Sequence, residues 1–229
     1  MKERTRLKYQ DLREDEVRDS RRMRDSGLVV GTSGNVSART PDGNVLVTPS
    51  GLDYWAMVPE DVVLVDLGGA VIEGSFEPSV EWPMHTGIYR ARPETGGIVH
   101  THARYSTTLA CLNREIPPST TCSPCSRTSA GYPFARYATY GTEELARNAA
   151  DVLGDSHKAC LLSNHGTIAV GGTVGEAYSR TELLEEMAEI YHHAAVAGEP
   201  VVLTAEQMAE VVAKIHDYGQ TKPPSSEVG

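Results

Sequence analysis

The feature that most constrains the fold is a hairpin signal in the first quarter of the chain. Two short runs, Val36 to Arg39 and Val45 to Thr48, flank the turn sequence Pro-Asp-Gly-Asn at positions 41–44. A turn of this composition joins strands that run antiparallel. Further buried-strand patterns at 62–66 and 159–162 alternate with helical patterns along the chain. The sequence therefore predicts an α/β fold in which at least part of the sheet is antiparallel.

Six segments have the apolar spacing of helices, and several begin or end at recognisable caps. They run from Leu7 to Arg24, Trp82 to Arg92, Ser106 to Leu112, Thr142 to Val152, Gly175 to Ala197 and Thr204 to Tyr218. With 229 residues, of which 40% are apolar, the chain has the size of one α/β domain. We expect that domain to span 1–222 and the tail at 223–229 to be disordered.

The charge balance limits the classes of partner. The formal net charge is -10, which argues against nucleic acid or an anionic membrane as the main partner. No run is long and apolar enough to span a bilayer, and the N-terminal residues are charged where a signal peptide would be hydrophobic. We expect a cytoplasmic protein that captures any anionic substrate through local hydrogen-bond donors.

Two histidines separated by one residue lie in a strand-like run. His100 and His102 should project to the same face, because strand side chains alternate. Taken alone, the pair is also compatible with two unrelated polar residues on a solvated face. His165 follows the apolar run at 159–162, and Glu81 lies where a helix begins. Three histidines and one acid suit zinc, and three protein ligands with an open position are typical of a catalytic site.

Three short clusters of hydroxyls and glycines lie next to predicted strand ends. They are Gly31 to Asn35, Thr48 to Gly51, and Ser79. Such loops are most often turns, but they can also direct N–H groups and hydroxyls at a phosphate. The lysines all lie outside catalytic-looking motifs, which disfavours a Schiff base. A metal with a carboxylate base suits proton abstraction and carbon–carbon bond cleavage.

A series of motifs, in order, resembles the class II aldolase and adducin family, and is closest in pattern to the L-fuculose-phosphate aldolases. The motifs are Gly34 to Ser37, Thr48 to Gly51, Pro78 to Trp82, Val99 to His102, Tyr137 to Thr142 and Asn164 to Gly166. The resemblance runs from about Leu7 to Tyr218, nearly the full chain.

This resemblance implies a three-layer α/β/α fold on a largely antiparallel sheet, and a homotetramer with active sites between subunits. It implies zinc, with manganese or cobalt as alternatives, held by His100, His102, His165 and, in the resting enzyme, Glu81. Glu81 would also act as the base. The implied phosphate contacts are Gly34, Asn35, Thr48, Ser50, Gly51 and Ser79.

The sequence departs from the family pattern at two positions. Val80 stands where the family often has a second serine before the acid, which removes one phosphate hydroxyl. Thr121 stands where the aldolase has a tyrosine that acts as an acid toward the aldehyde oxygen. Tyr218 matches the family's C-terminal tyrosine, which reaches a neighbouring subunit's site. Either Tyr218 takes over the acid role, or the protein accepts a smaller, deoxy aldehyde.

The expected activity is cleavage of a ketose 1-phosphate, either L-fuculose 1-phosphate or a 5-deoxypentulose 1-phosphate, into dihydroxyacetone phosphate and a short aldehyde. Alternatives on the same scaffold are a sugar-phosphate 4-epimerase, a dehydratase and a decarboxylase. A non-enzymatic, adducin-like scaffold is a further alternative. The three histidines and Glu81 speak against that scaffold, because a structural domain has no need of them.

Overall fold

The computed structural model describes residues 7–120 and 131–216. The helices are α1 (Gln10–Asp25), α2 (Trp82–Ala91), α3 (Arg104–Cys111), α4 (Glu143–Leu153), α5 (Val174–Ala197) and α6 (Ala205–His216). The strands are β1 (Asn35–Arg39), β2 (Val45–Val47), β3 (Val63–Val65), β4 (Val71–Glu73), β5 (Gly97–Thr101), β6 (Phe134–Ala135), β7 (Ala159–Leu162) and β8 (Gly166–Gly171). Thr121, Tyr218 and the tail at 223–229 lie outside the described residues.

Eight strands of the described chain form one sheet in the order β4-β3-β2-β1-β5-β8-β7-β6. Neighbouring strands are antiparallel except β6 and β7, which are parallel. The predicted hairpin joins β1 to β2, with Ser37 opposite Val47 and Arg39 opposite Val45. Gly43 lies in its turn at φ 86, a conformation that glycine adopts without strain. The sheet is largely antiparallel, as predicted.

Helices cover both faces of the sheet. Side chains from alternate strand positions point to opposite faces, so Val45 and Val47 pack on one side and Leu46 on the other. The first face meets apolar side chains of α2 and α4, including Met84 and Leu145. The other face meets α1 and α5, and α3 extends this layer beside β7 and β8. The result is the expected three-layer α/β/α arrangement.

The structure adds one central strand that the sequence reading did not assign. β8 pairs with β5 on one side and with β7 on the other, all antiparallel. It has glycine at both ends, so its pairing with two neighbours, more than its own pattern, makes it a strand. The short strand β6 was also not predicted. No helix among the described residues is long and apolar enough to cross a membrane.

Candidate active site

The three histidines and Glu81 come together where the central strand β5 ends and its neighbour β8 begins. The end of β5 pairs with the start of β8, with Thr101 opposite Thr167. His102 directly follows β5 and His165 directly precedes β8, so this pairing makes them neighbours. His102 therefore lies just beyond the strand that was predicted to hold it. One ligand atom from each of Glu81, His100, His102 and His165 lies within 4.8 Å of all the others.

Glu81 is delivered from the loop before α2, where it occupies the predicted position at the helix N-terminus. Two backbone hydrogen bonds fasten this loop to the segment after β2. Ser79 N donates to Thr48 O at 3.0 Å, and Ser50 N donates to Glu77 O at 2.9 Å. These bonds hold the carboxylate over the histidines.

The hydrogen bond at Nδ1 of His100 orients its ring for metal binding. This nitrogen lies 2.7 Å from the carbonyl oxygen of Thr167, so it carries the proton and donates it. The Nε2 lone pair of the neutral ring then points into the cluster, where Nε2 of His102 is only 2.9 Å away. Two such lone pairs repel each other unless a cation lies between them. The donor set therefore fits a divalent metal ion of the kind that imidazole binds.

The carboxylate of Glu81 completes the donor set. Oε2 lies 3.0 Å from Nε2 of His100, and Oε1 lies 3.2 Å from Nε2 of His165. Oε1 is buried and accepts no hydrogen bond. An unsatisfied buried acceptor of this kind costs about 1–3 kcal/mol. A bound cation would satisfy it, which is a second observation in favour of a metal at this place.

The ionisation of these groups also suits a metal centre. Burial tends to raise the pKa of Glu81, but the contacts with His100 and His165 outweigh burial and hold that pKa well below its ordinary value. Burial tends to lower the pKa of His100, but Glu81 outweighs burial and raises it. A divalent cation bound here would take the place of the proton that Glu81 favours on His100, which leaves that ring neutral. Burial and the neighbouring His100 lower the pKa of His102 to about 4. Below that pH the ring would be cationic, whereas at neutral pH it is neutral. The His102 lone pair is then available for coordination.

A cavity of about 290 Å³ opens beside the cluster. Its walls include all three of the hydroxyl and glycine clusters that the sequence analysis singled out. The lining residues are Thr32, Ser33, Gly34, Asn35, Pro49, Ser50, Gly51, Ser79, Val80, Glu81, His102, Tyr140 and His165. The structure thus brings the predicted phosphate contacts and the predicted metal ligands to one cavity, except Thr48 and His100; His100 is fully buried and reaches the ligand cluster from behind the cavity wall.

Thr48 has a structural position that does not support the predicted phosphate contact. The residue is buried, and its hydroxyl oxygen accepts a hydrogen bond from the backbone N–H of Val36 at 3.1 Å. Its side chain is absent from the walls of the cavity. Thr48 therefore connects β1 to the end of β2. Sequence motifs cannot show this, because a threonine in a polar loop has the same signature in either role.

Asn35 borders the cavity, but its side-chain amide is already engaged. Nδ2 donates to Oε2 of Glu81 at 2.9 Å, and Oδ1 accepts from Nε2 of His85. The amide therefore serves the carboxylate. His85 is fully buried, and its position four residues after Glu81, on the same helix face, favours a supporting or packing role over metal ligation.

Two exposed side chains line a part of the cavity for which the sequence analysis predicted no contact with metal or phosphate. Val80 is 56% exposed and Tyr140 is 62% exposed, and both line the cavity. Gly141 follows Tyr140 at φ 73, and an added Cβ there would lie 2.9 Å from the carbonyl oxygen of Val80. This close approach holds the backbone next to Tyr140 against the loop of Val80, so both residues line the same cavity. Tyr140 belongs to the family motif at Tyr137 to Thr142, but nothing in the sequence indicates which residue of that motif reaches the site.

Comparison with known proteins agrees with this geometry. The family described as "Class II Aldolase and Adducin N-terminal domain" matches residues 16–192. This chain belongs to that family. The 5-deoxy-D-ribulose 1-phosphate aldolase of Bacillus thuringiensis is 37% identical over 219 residues, which cover 91% of this chain and 97% of the relative. The L-fuculose phosphate aldolase of Escherichia coli K12 is 37% identical over 194 residues, 84% of this chain and 88% of the relative.

Solved structures show the same fold. An L-fuculose 1-phosphate aldolase superposes with a TM-score of 0.85 at 35% identity, covering 93% of this chain and 99% of the other. The L-fuculose-1-phosphate aldolase of Thermus thermophilus superposes with a TM-score of 0.71 at 31% identity, covering 83% and 98%. The class II aldolase fold predicted from the sequence is confirmed.

Proposed function

We propose that this family member is a metal-dependent aldehyde-lyase that reversibly cleaves a ketose 1-phosphate into dihydroxyacetone phosphate and a short aldehyde. One observation carries the proposal: Glu81 and three histidine nitrogens meet beside a cavity that is lined in part by serine and glycine loops. Relatives named as aldolases that align over 84 to 91% of the chain support it.

His100, His102 and His165 would hold the metal ion, which we propose to be zinc, with manganese or cobalt as alternatives. A divalent cation there supplies Lewis-acid polarisation of the substrate carbonyl. Glu81 would complete the ligand set in the resting protein, and with substrate bound its carboxylate would hold and move the proton. During cleavage the C4 hydroxyl would give its proton to a base at the aldehyde end, and the C3–C4 bond would break with its electron pair moving into the enediolate of dihydroxyacetone phosphate. Glu81, protonated by exchange with solvent, would then deliver a proton to C3, so that the overall number of protons is unchanged.

In the synthetic direction Glu81 removes a proton from the hydroxymethyl carbon of dihydroxyacetone phosphate. The low pKa of Glu81 makes it a weak base toward an ordinary C–H group. The acidity must therefore come from the polarised substrate. The carboxylate contributes its position next to the reacting carbon.

The phosphate end of the substrate would lie against neutral donors. No lysine or arginine is among the described residues that line the cavity. Ser50 offers an exposed hydroxyl, and Ser79 Oγ accepts from Glu81 N at 3.3 Å, which leaves its own proton for a phosphate oxygen. Gly34 and Gly51 have no side chains and allow an anion to approach the backbone.

The aldehyde end would lie against Val80 and Tyr140, which present carbon surface and one hydroxyl. Such a wall suits an aldehyde that ends in a methyl group. We therefore propose a 5-deoxypentulose 1-phosphate or L-fuculose 1-phosphate as the substrate, since both end in a methyl group. A relative in Rhodospirillum rubrum, 40% identical over 200 residues, is named for 5-methylthioribulose-1-phosphate and 5-deoxyribulose-1-phosphate.

Further parts of the proposal rest on the family. We propose a cytoplasmic homotetramer whose sites lie between subunits, built from one domain at 1–222. Tyr218 of a neighbouring copy would supply the acid for the aldehyde oxygen.

The test is hydrogen–deuterium exchange at the hydroxymethyl carbon of dihydroxyacetone phosphate in D2O, followed by proton NMR. Zinc-loaded protein should exchange this hydrogen, and chelator-treated protein should not. Glu81→Gln should keep its metal but exchange at least 100-fold more slowly, within the range for loss of a positioned base. Acetaldehyde and lactaldehyde then test the second half-substrate. A zinc-loaded protein without exchange would contradict an aldolase.

A further inference from the structure

A buried network of hydrogen-bonded side chains connects the core of the protein to the carboxylate of Glu81. Asn35 Nδ2 donates to Glu81 Oε2 at 2.9 Å, and Asn35 Oδ1 accepts from His85 Nε2. His85 Nδ1 lies 2.6 Å from Ser37 Oγ, which is 3.0 Å from the hydroxyl of Tyr89. All four supporting residues are buried, and His85 is fully so. This network of hydrogen bonds extends from the core of the protein to one oxygen of the Glu81 carboxylate.

The directions of these hydrogen bonds determine one another. Tyr89 donates its proton to the carbonyl oxygen of Ser37 at 3.0 Å. Ser37 Oγ can then give its own proton to Nδ1 of His85. Burial lowers the pKa of His85 to about 3, so the neutral ring carries a single proton. With Nδ1 acting as the acceptor, that proton lies on Nε2 and is donated to Asn35 Oδ1.

The tautomer of His85 in turn orients Asn35. An asparagine amide can rotate by half a turn and exchange its oxygen and nitrogen. The N–H of His85 holds the amide oxygen, so the NH2 group faces Glu81. The opposite orientation would place an amide oxygen against a carboxylate oxygen and repel it. His85 thus decides whether Glu81 has a donor or a repulsive neighbour.

The arrangement also distinguishes the two oxygens of Glu81. Oε2 is held by Asn35, whereas Oε1 accepts no hydrogen bond. Holding one oxygen restricts rotation of the carboxylate and leaves the other oxygen for the substrate proton. Both ring nitrogens of His85 are used within the chain of hydrogen bonds, so His85 is not a metal ligand.

Resting on the proposed function, we propose that His85 is a positioning residue for the Glu81 carboxylate, acting through the side-chain amide of Asn35. His85 touches neither the substrate nor the metal. Its removal should slow proton transfer at carbon without changing how substrate or metal binds. Groups that orient the ligands of metal sites commonly contribute 10- to 100-fold to activity.

The experiment compares two replacements of His85 in the zinc-loaded protein. His85→Leu fills a similar volume but has no donor, whereas His85→Gln can place an N–H near the position of Nε2. For His85→Leu we expect kcat and the exchange rate of dihydroxyacetone phosphate to fall 10- to 100-fold. KM and zinc content should stay within twofold of wild type. For His85→Gln we expect recovery to within about threefold of wild type.

Two further measurements separate positioning from general damage to the core. Thr181→Val removes another buried hydroxyl, bonded to the carbonyl oxygen of Ala177 within α5 on the opposite face of the sheet, and should lower stability without lowering kcat. Nitrogen-15 NMR of the Asn35 side-chain amide gives a readout independent of turnover. Its protons should be protected from solvent exchange in wild type and His85→Gln, and unprotected in His85→Leu.

The outcomes distinguish this inference from the proposed function. Wild-type protein that catalyses exchange, with His85→Leu equally fast, would overturn the positioning role alone. Equal losses in His85→Leu and His85→Gln that follow their melting temperatures would also overturn it. Wild-type protein without metal-dependent exchange would overturn the proposed function and this inference with it, whatever the NMR shows.

Discussion

The two sides of Glu81 use histidine in opposite ways. On the cavity side, Nε2 of His100 and Nε2 of His102 face each other at 2.9 Å, and because Nδ1 of His100 donates to Thr167, the neutral His100 ring has its lone pair at Nε2. On the core side, both nitrogens of His85 have partners. Histidines whose ring nitrogen has a lone pair without a hydrogen-bond donor are therefore the candidate metal ligands, and the residue type alone does not identify them.

The comparison predicts different consequences for the two sides. Changes on the cavity side should remove the metal or weaken substrate binding. Changes on the core side should affect the rate and stability and leave the metal in place.

The largest expected effect is that of His102→Ala. It removes one of three imidazole ligands, so zinc content should fall to near zero and aldol cleavage should be lost, by more than 1000-fold. Atomic emission spectroscopy after gel filtration and a coupled cleavage assay measure the two. His85→Gln is the matched control and should retain its zinc. An active, metal-free His102→Ala protein would contradict the assignment of His102 as a ligand of a catalytic metal.

The second effect is a difference in acid stability between wild type and His85→Gln, measured on chelator-treated protein by urea unfolding. Burial, with a contribution from nearby His100, lowers the pKa of His85 from 6.5 to about 3. Between these values the unfolded chain binds a proton that the folded chain does not, so the free energy of unfolding decreases as pH falls. The decrease is about 1.4 kcal/mol per pH unit.

At pH 6.5 half of the unfolded chains carry this proton, so from pH 6.5 to pH 5 wild type should lose about 1.6 kcal/mol more stability than His85→Gln. Among the titratable groups, His100 and Glu81 act most on the pKa of His85, and both are present in wild type and in His85→Gln. Parallel stability curves for the two proteins would mean that His85 is accessible to protons in the folded state, contrary to its full burial.

A smaller effect is expected for Ser50→Ala on the cavity side. Loss of one hydroxyl that bonds a charged phosphate corresponds to about 1.5 kcal/mol, or roughly a tenfold higher KM. The value of kcat should change less than threefold, and zinc content should not change. Steady-state kinetics with the ketose 1-phosphate measures these values. An unchanged KM would remove Ser50 from the phosphate site.

The smallest kinetic effect is expected for Thr48→Val, which tests the reassigned threonine. The change deletes the hydroxyl that accepts from Val36 N, so unfolding should become easier by about 1–2 kcal/mol. KM and kcat should match wild type. A tenfold rise in KM with unchanged stability would instead restore the phosphate contact implied by the family resemblance.

Much of the fold could be predicted because its signals are local. The turn at Gly43 and the helix that begins after Glu81 depend on residues that are close in sequence. The exception is β8, whose pairing partners β5 and β7 decide its structure. Tyr140 was missed for a related reason, since only the approach of Gly141 to Val80 brings it to the cavity.

The sequence by itself determined the hairpin, the six helices, most of the strands and the family, and it singled out His100, His102, His165 and Glu81 as the candidate metal ligands. Each follows from residue types at fixed spacing. Only the tertiary structure decided the division of roles among the polar residues. Asn35, His85 and Thr48 come from different elements, and their partners Glu81, Ser37 and Val36 are between 12 and 48 residues away. A hydrogen bond requires a donor–acceptor distance that is correct to within a few tenths of an ångström, and the sheet pairing sets those distances.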